Sequence, residues 1–251
     1  MGKNRPASEL IDTLIKFVRL RARLQDHQGT SAEVVLRDAV SLETELQSWM
    51  ERLPAEWSFI TKEAADVRGT FYGQYHVYQD AWASRVLIHY QLGRLLVNEV
   101  IVAYASQLEE PAAEWIAHKE RSLVVVSQMA TDICIGIASQ TLPAEGISPH
   151  GGNSPPLMKG IFVSVYSLTT AATAIGVSDQ LRTWVLGTLQ TMGERTGMRQ
   201  ALDAIPRIQL AIGNQKQVEP CCQNPMRSSS DGLHGQLSKR HQPDVLSVEG
   251  E

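Results

Sequence analysis

The histidines of the chain are its first candidates for metal binding or for acid–base chemistry. His76, His89 and His118 lie too far apart to match a zinc-binding spacing, and no H-E-x-x-H or C-x-x-C motif occurs. His89 is interpreted as a partly buried histidine of a helix. Asp80 and Asp132 are single helical acids without an evident partner carboxylate. These residues predict no catalytic, cofactor-binding or metal-binding site and no cofactor, so we do not expect an enzyme.

The cysteines offer little more. Cys134 stands between Ile133 and Ile135 and is interpreted as a small core hydrophobe rather than a nucleophile. Cys221 and Cys222 are interpreted as incidental thiols, with metal or redox use as the alternative. An odd number of cysteines, two of them adjacent, builds no disulfide framework and indicates a reducing compartment.

Binding of phosphate groups is not indicated either. Residues 149–153, "PHGGN", have no preceding strand and no following Gly-Lys-Ser/Thr, and the Gly-x-Ser-x-Gly motif of serine hydrolases does not occur. Lys+Arg 23 against Asp+Glu 27 give a net charge of -4, which excludes a field that gathers nucleic acid over the whole surface. The N-terminal basic residues are interpreted as a solvated helix face, with a phosphate-binding strip as the alternative: Lys16, Arg19, Arg21 and Arg23.

Residues 160–177 carry no charge and reach the length that begins to suit a membrane span. Several Ser and Thr side chains dilute this segment, and Lys159 and Asp179 flank it closely. We therefore predict a helix buried among other helices, not a membrane span. The first ten residues lack the apolar core of a signal peptide, so secretion is not expected.

Apolar residues at spacings of three and four predict helices along most of the chain. The first covers residues 8–25. The second follows "TSAE" (30–33), interpreted as a capping box between Thr30 and Glu33, and is ended by Pro54. The predicted inner faces of these two helices are Leu10, Leu14, Phe17, Leu20 and Leu24, then Val35, Ala39, Leu42, Leu46, Trp49 and Leu53.

The central helices are predicted to be longer. Residues 68–75, "RGTFYGQY", form a glycine-containing loop, and a helix over roughly 76–108 follows. Pro111 suits the first turn of the next helix, and residues 142–156 form a second loop rich in proline and glycine. The predicted inner faces are Tyr78, Ala81, Trp82, Arg85, Ile88, Leu92, Leu95, Leu96 and Val102, then Leu123, Val126, Met129, Ile133 and Ile137.

The C-terminal part begins with an apolar helix over residues 157–175. Ser178 is predicted to cap the following helix, with Asp179 favourable at its positive end. Gly197 suits the left-handed residue that closes this helix, after which a short helix begins at Met198. The predicted inner faces are Leu181, Trp184, Val185, Leu189 and Met192, then Ala201, Leu202 and Ile205.

The sequence therefore predicts an all-α fold, a multi-helix bundle-like single domain with a disordered C-terminal tail. Residues 1–29 are assigned to an N-terminal helix or extension and residues 30–212 to the helical domain. Residues 213–251 are polar and without periodicity, so they are assigned to the tail.

Three stretches together resemble a known family: "DAWASRVLIHYQLGRLLVNEVI" (80–101), "MATDICIGI" (129–137) and "LTTAATAIGVSDQLRTWVLGTLQTMGERTGMRQAL" (168–202). Their order resembles the C-terminal regulatory, or middle-homology, region of fungal Zn2Cys6 transcription factors, over roughly residues 30–205. The positions that carry the resemblance are Trp82, Arg85, Leu87, Asp132, Ile133, Cys134, Leu168, Ala172, Trp184, Gly193, Gly197, Ala201 and Leu202.

The resemblance implies a helical domain of the nucleus that regulates transcription through protein partners, among them related factors, and through a small-molecule effector. Many relatives control metabolic gene clusters, so the resemblance also implies a role in secondary metabolism. The six-cysteine zinc cluster of the family does not occur, so we expect no direct nucleic-acid binding, either in a fragment of a longer factor or in a regulator that pairs with a relative. The alternative is an all-α protein that binds or transforms a small molecule in a cavity between its long helices.

Overall fold

The computed structural model describes residues 5–26, 30–63, 70–79, 81–141 and 158–218. These residues form a mostly helical fold with one small sheet, as the sequence predicted apart from the sheet. The elements in chain order are α1 (Arg5–Gln25), α2 (Ala32–Glu51), a short 3-10 helix (Ala55–Trp57), β1 (Phe59–Glu63), β2 (Gln74–Tyr78), α3 (Ala81–Ala105), α4 (Ala113–Thr141), α5 (Met158–Thr173), α6 (Asp179–Thr196) and α7 (Arg199–Val218).

Helix α3 lies between two apolar cores. The N-terminal core joins α1, α2 and one side of α3, and the C-terminal core joins the other side of α3 to α4, α5, α6 and α7. Leu87 belongs to the first core and Ile88 to the second, and both are fully buried. The single inner face predicted for this helix was therefore wrong in extent, since burial on both sides requires apolar residues nearly all round. Trp82, assigned to the inner face, is 47% exposed.

The same composition lets α3 pass a test for membrane-spanning helices. Trp82–Ala105 is long and apolar enough by length and composition, with a mean hydropathy of 1.3 over its best window. Within the fold 72% of that window is buried, as in the core helix of a folded domain. The uncharged segment singled out in the sequence forms α5, whose Ser164, Ser167 and Leu168 are buried.

The stripes predicted for α1 and α2 are confirmed, and they pack against each other. Leu10, Phe17 and Leu20 of α1 are buried in the N-terminal core. The cap of α2 differs from the prediction: Ser31, not Thr30, is the N-cap, and its hydroxyl accepts a hydrogen bond from the Val34 amide at 3.4 Å. Two adjacent hydroxyl residues are equally good caps, and the apolar pattern does not choose between them.

A β-hairpin replaces the predicted start of the long helix. Phe59–Glu63 pairs antiparallel with Gln74–Tyr78, so the sequence prediction of a helix from residue 76 and of no strand was wrong. Tyr72 and Gly73 have φ of 53° and 68°, left-handed values that turn the chain into β2. Helix α3 begins only at Ala81, because the backbone of residues 74–78 is committed to the ladder.

The predicted ends of α6 are confirmed. The Ser178 hydroxyl accepts from the Leu181 amide at 3.2 Å, and Gly197 is left-handed at φ 71°. Helix α7 continues to Val218, so the short helix and the tail from residue 213 were wrong. Gln215 explains the extra length, because its amide donates to the Thr173 carbonyl at 2.7 Å and ties α7 to the end of α5. The loop at 142–156, Asp80, Cys221, Cys222 and residues 219–251 lie outside the described residues.

Candidate functional site

The histidines named from the sequence lie on three different elements. His76 is buried on β2, with Nδ1 3.1 Å from the Thr61 hydroxyl oxygen. His89 is exposed on α3, contrary to the prediction, because its neighbours fill both cores and leave it the gap toward solvent. His118 on α4 has Nε2 3.9 Å from a Glu114 carboxylate oxygen. No group of three or more His, Cys, Asp or Glu suited to a metal ion occurs among the described residues.

Cys134 and Asp132 both lie on α4 at the C-terminal core. Cys134 is fully buried, as predicted for a core hydrophobe, and burial raises the pKa of its thiol above the ordinary range. Burial also raises the pKa of Asp132, opposed by a hydrogen bond from the Gln128 amide at 2.9 Å. The thiol is therefore held protonated and inert at neutral pH.

The basic residues of α1 mostly face α2. The Lys16 ammonium lies 2.7 Å from a Glu45 carboxylate oxygen, and the Arg23 guanidinium lies 2.7 Å from an Asp38 carboxylate oxygen. Both pairs are substantially exposed, so each contributes at most about 1 kcal/mol. Arg19 makes no ion pair within the described residues. Two of the four cations in the basic strip are thus used to join helices.

A buried charge cluster between α2 and α3 was not predicted. Glu43 is 8% exposed, and its carboxylate accepts two hydrogen bonds from the Arg94 guanidinium, one of them 3.0 Å from Nε. Asn98 donates to the other carboxylate oxygen at 2.9 Å, and Arg94 also donates to the Tyr90 hydroxyl at 3.2 Å. Gln47 donates to the carboxylate from α2 at 2.9 Å. Every strong acceptor of the buried carboxylate is thereby matched.

The electrostatics of this cluster favour its charged state. Burial opposes the charge of Arg94, but the hydrogen bonds and charge of Glu43 together with Tyr90 raise its pKa above the ordinary value. Burial raises the pKa of Tyr90, partly offset by the nearby guanidinium. The only signal in the sequence was that Arg94 and Asn98, four residues apart, interrupt an otherwise apolar helix; Glu43 lies 51 residues away from Arg94.

A second polar contact links the hairpin to α4. The rings of Phe59, His76 and Tyr78 pack together, with centroids 4.2 Å apart for Phe59 and His76 and 5.9 Å for His76 and Tyr78. Neither His76 Nε2 nor the buried Tyr78 hydroxyl has a hydrogen-bond partner in the described part of the chain. Burial lowers the pKa of His76 to about 4, and burial with the charge of Asp132 raises that of Tyr78.

Two clefts open between helices. A groove of about 610 Å³ between α1 and α2 is lined mainly by polar and charged side chains, among them Glu9, Asp12 and Arg52. A cavity of about 260 Å³ at the corner of α3 and α4 is lined by Leu108, Trp115 and their neighbours. The first is too polar and the second too small for the usual apolar ligand site of about 300–1,000 Å³.

Comparison of the chain with family models, with curated proteins and with solved structures found no match. The geometry itself points to assembly rather than turnover. The buried charges of Glu43 and Arg94 neutralise each other, and the buried thiol and imidazole are held in uncharged forms by desolvation. What the fold leaves accessible is a set of helix surfaces with exposed apolar and aromatic side chains.

Proposed function

We propose that this chain is a helical regulatory domain of the kind found in fungal Zn2Cys6 transcription factors, acting in the nucleus through protein contacts. It carries out no reaction and makes no direct contact with DNA. Its targets are genes of a metabolic or secondary-metabolite cluster. It works either within a longer factor or by pairing with a related one.

The packing of the resembling positions is the observation that carries this proposal. Ile133, Cys134, Leu168, Ala172 and Ala201 come from four different helices, and each is fully buried in the C-terminal core. The three stretches therefore describe one packed body and not three separate segments. A domain recognised by the residues of its core is consistent with a scaffold whose surface makes the regulatory contacts.

Another part of the resemblance lies at the surface. Trp82 is 47% exposed at the start of α3, and the Arg85 guanidinium lies 5.7 Å from the centre of its ring. Tryptophan and arginine are enriched among the residues that dominate protein interfaces. This pair supports a role in contacting a partner, since a Trp left exposed contributes little to the stability of its own fold.

The second candidate function is binding of a small-molecule effector or substrate between the long helices. The cavity at the corner of α3 and α4 supports it, with Trp115 as an aromatic wall and Lys119 and Glu120 as polar groups. Its volume of about 260 Å³ admits only a small molecule. A regulatory domain with a small effector and a small-molecule-binding protein differ in whether a change in transcription follows.

A reporter experiment tests the proposal. The chain is fused to an unrelated DNA-binding module in a fungal host, and transcription from a reporter carrying that module's site is measured. We expect a several-fold change relative to the module alone. Leu168→Asp, which places a charge in the C-terminal core, should return the reporter to the level of the module. A folded wild-type fusion that leaves the reporter unchanged in the nucleus contradicts the proposal.

DNA binding provides an independent check. The purified chain should show no sequence-selective binding to duplex DNA, and any weak affinity should disappear between about 50 mM and about 200 mM salt, as expected of non-specific phosphate contacts. Electrophoretic mobility shifts at increasing salt measure this. A selective complex that survives the higher salt would show that the chain reads DNA itself.

A further inference from the structure

Helix α1 has a second apolar stripe on the side away from both cores. Its residues, here called the outer stripe, are Ile11, Ile15, Val18 and Ala22. Ile11, Ile15 and Val18 are 54%, 43% and 64% exposed. The spacings of four, three and four are those of a seam between two paired helices. The inner face is separate, since Leu10 and Phe17 are buried in the N-terminal core.

The charges beside the outer stripe complement themselves. Asp12 and Arg19 are exposed along one flank, seven residues apart and of opposite sign, and neither makes an ion pair within the described residues. When two copies of α1 run antiparallel with Ile15 of each opposite Val18 of the other, each Asp12 faces the Arg19 of the other copy. Both ion pairs then form at once, as a two-fold interface requires.

A parallel arrangement is less well matched. In parallel pairing Arg21 would need an acidic residue five positions later in the second helix, which is Asp26. Asp26 lies beyond Gln25, where α1 ends. In addition, Arg21 already acts on the partly buried Glu99, whose pKa is raised by burial and lowered in part by this cation.

We infer that the outer stripe of α1 binds the outer stripe of a second copy of this chain, in an antiparallel two-fold dimer centred between Ile15 and Val18. The seam spans less than three heptads, so the interface is small and the dimer is weak and concentration-dependent. This inference does not depend on the proposed function, because it rests only on the exposed face of α1 and its charges.

Sedimentation equilibrium of the full chain tests the inference. Between about 1 µM and about 1 mM the average mass should rise from one chain toward two. Ile15→Glu should hold it at one chain throughout. Val124→Glu is the matched control, since Val124 is 69% exposed on α4, and it should dimerise like the wild type. A monomeric wild type at the highest concentration, or an Ile15→Glu variant that still dimerises, overturns the inference.

Charge reversal tests the antiparallel orientation. Asp12→Arg should weaken the dimer about tenfold, because both ion pairs become repulsive. Arg19→Asp should do the same, and the chain carrying both changes should recover wild-type affinity to within about threefold, since each Arg then faces an Asp again. A double variant as weak as either single variant overturns the antiparallel arrangement, and loss of helical circular dichroism in any variant would identify unfolding as the cause.

Discussion

The hydroxyl of Tyr78 on β2 lies over Gly136 of α4, at a point where a Cβ atom would be only 2.6 Å from the phenolic oxygen. The hairpin can dock on α4 only because this position has no side chain. The imidazole of His76 lies beside it, 3.4 Å from the same Cβ position. A contact between residues 58 positions apart thus fixes where the small sheet sits on the helices.

Gly136→Ala should destabilise the fold by about 1–3 kcal/mol, because the added methyl group displaces a packed ring. Tyr78→Phe removes the clashing oxygen, so the same change made in that background should cost measurably less. Gly187→Ala on α6 is the control: nothing lies within 4 Å of its Cβ position, and it should be neutral or slightly stabilising. Urea denaturation of the four combinations and the control measures the coupling, and equal costs in both backgrounds would refute the contact.

Acid should destabilise the protein through His76. Its folded pKa of about 4 lies below its model value of 6.5, so the unfolded chain binds the proton more readily. The stabilising contribution is therefore complete above pH 6.5 and is lost as the pH falls toward 4, amounting to about 3 kcal/mol. The surrounding groups are Thr61 on β1, Tyr78 on β2 and Asp132 on α4.

Chemical denaturation across this pH range, compared between the wild type and His76→Gln, measures the effect. The difference in free energy of unfolding should shrink as the pH falls, because the variant has no imidazole to protonate. The burial-raised pKa of Asp132 acts in the opposite direction in both proteins and cancels in the comparison. His89→Gln should keep the wild-type acid loss; parallel profiles for wild type and His76→Gln would contradict the assignment.

Breaking the buried charge cluster should cost more than breaking a surface pair. Arg94→Met leaves the Glu43 carboxylate buried without its cation and should cost about 3–5 kcal/mol. Adding Glu43→Leu should recover part of this loss, since both charges are then removed. Arg37→Ala breaks the exposed pair with Glu33 and should change stability by less than about 0.5 kcal/mol. Additive costs for Arg94→Met and Glu43→Leu would show that the two side chains do not interact.

Trp184 and Trp82 should differ strongly when replaced by alanine. The Trp184 indole packs 5.2 Å from the Phe71 ring and donates to the Thr70 carbonyl at 3.0 Å, so its loss should cost about 3 kcal/mol. Trp82→Ala should cost less than about 1 kcal/mol, because that ring is half exposed. Thermal unfolding of both variants compares them, and an unchanged melting temperature for Trp184→Ala would contradict the packing of α6 against residues 70 and 71.

The turn at Gly197 should tolerate few residues. Gly197→Ala should cost about 1 kcal/mol, because alanine at φ 71° is sterically strained, and Gly197→Asn should cost less. Gly213→Ala in α7 is the control, since its Cβ position is open and its backbone helical, and it should be neutral or stabilising. Equal effects of alanine at both glycines in urea denaturation would argue against the left-handed cap.

The sequence by itself determined the features that depend on neighbours in the chain. Helical stripes follow from spacings of three and four, the Ser178 cap from a hydroxyl beside an amide three residues on, and the Gly197 turn from a residue without Cβ. Burial of Cys134 followed from its apolar neighbours in the same way.

Only the tertiary structure decided the features that join distant residues. The hairpin forms because residues 59–63 supply backbone partners to residues 74–78, and α7 reaches Val218 because Gln215 finds the end of α5. Glu43 and Arg94 are compatible with solvent until packing brings α2 and α3 together. Local periodicity carries no term for such pairs, since their free energy depends on closing loops of tens of residues and on the burial that follows.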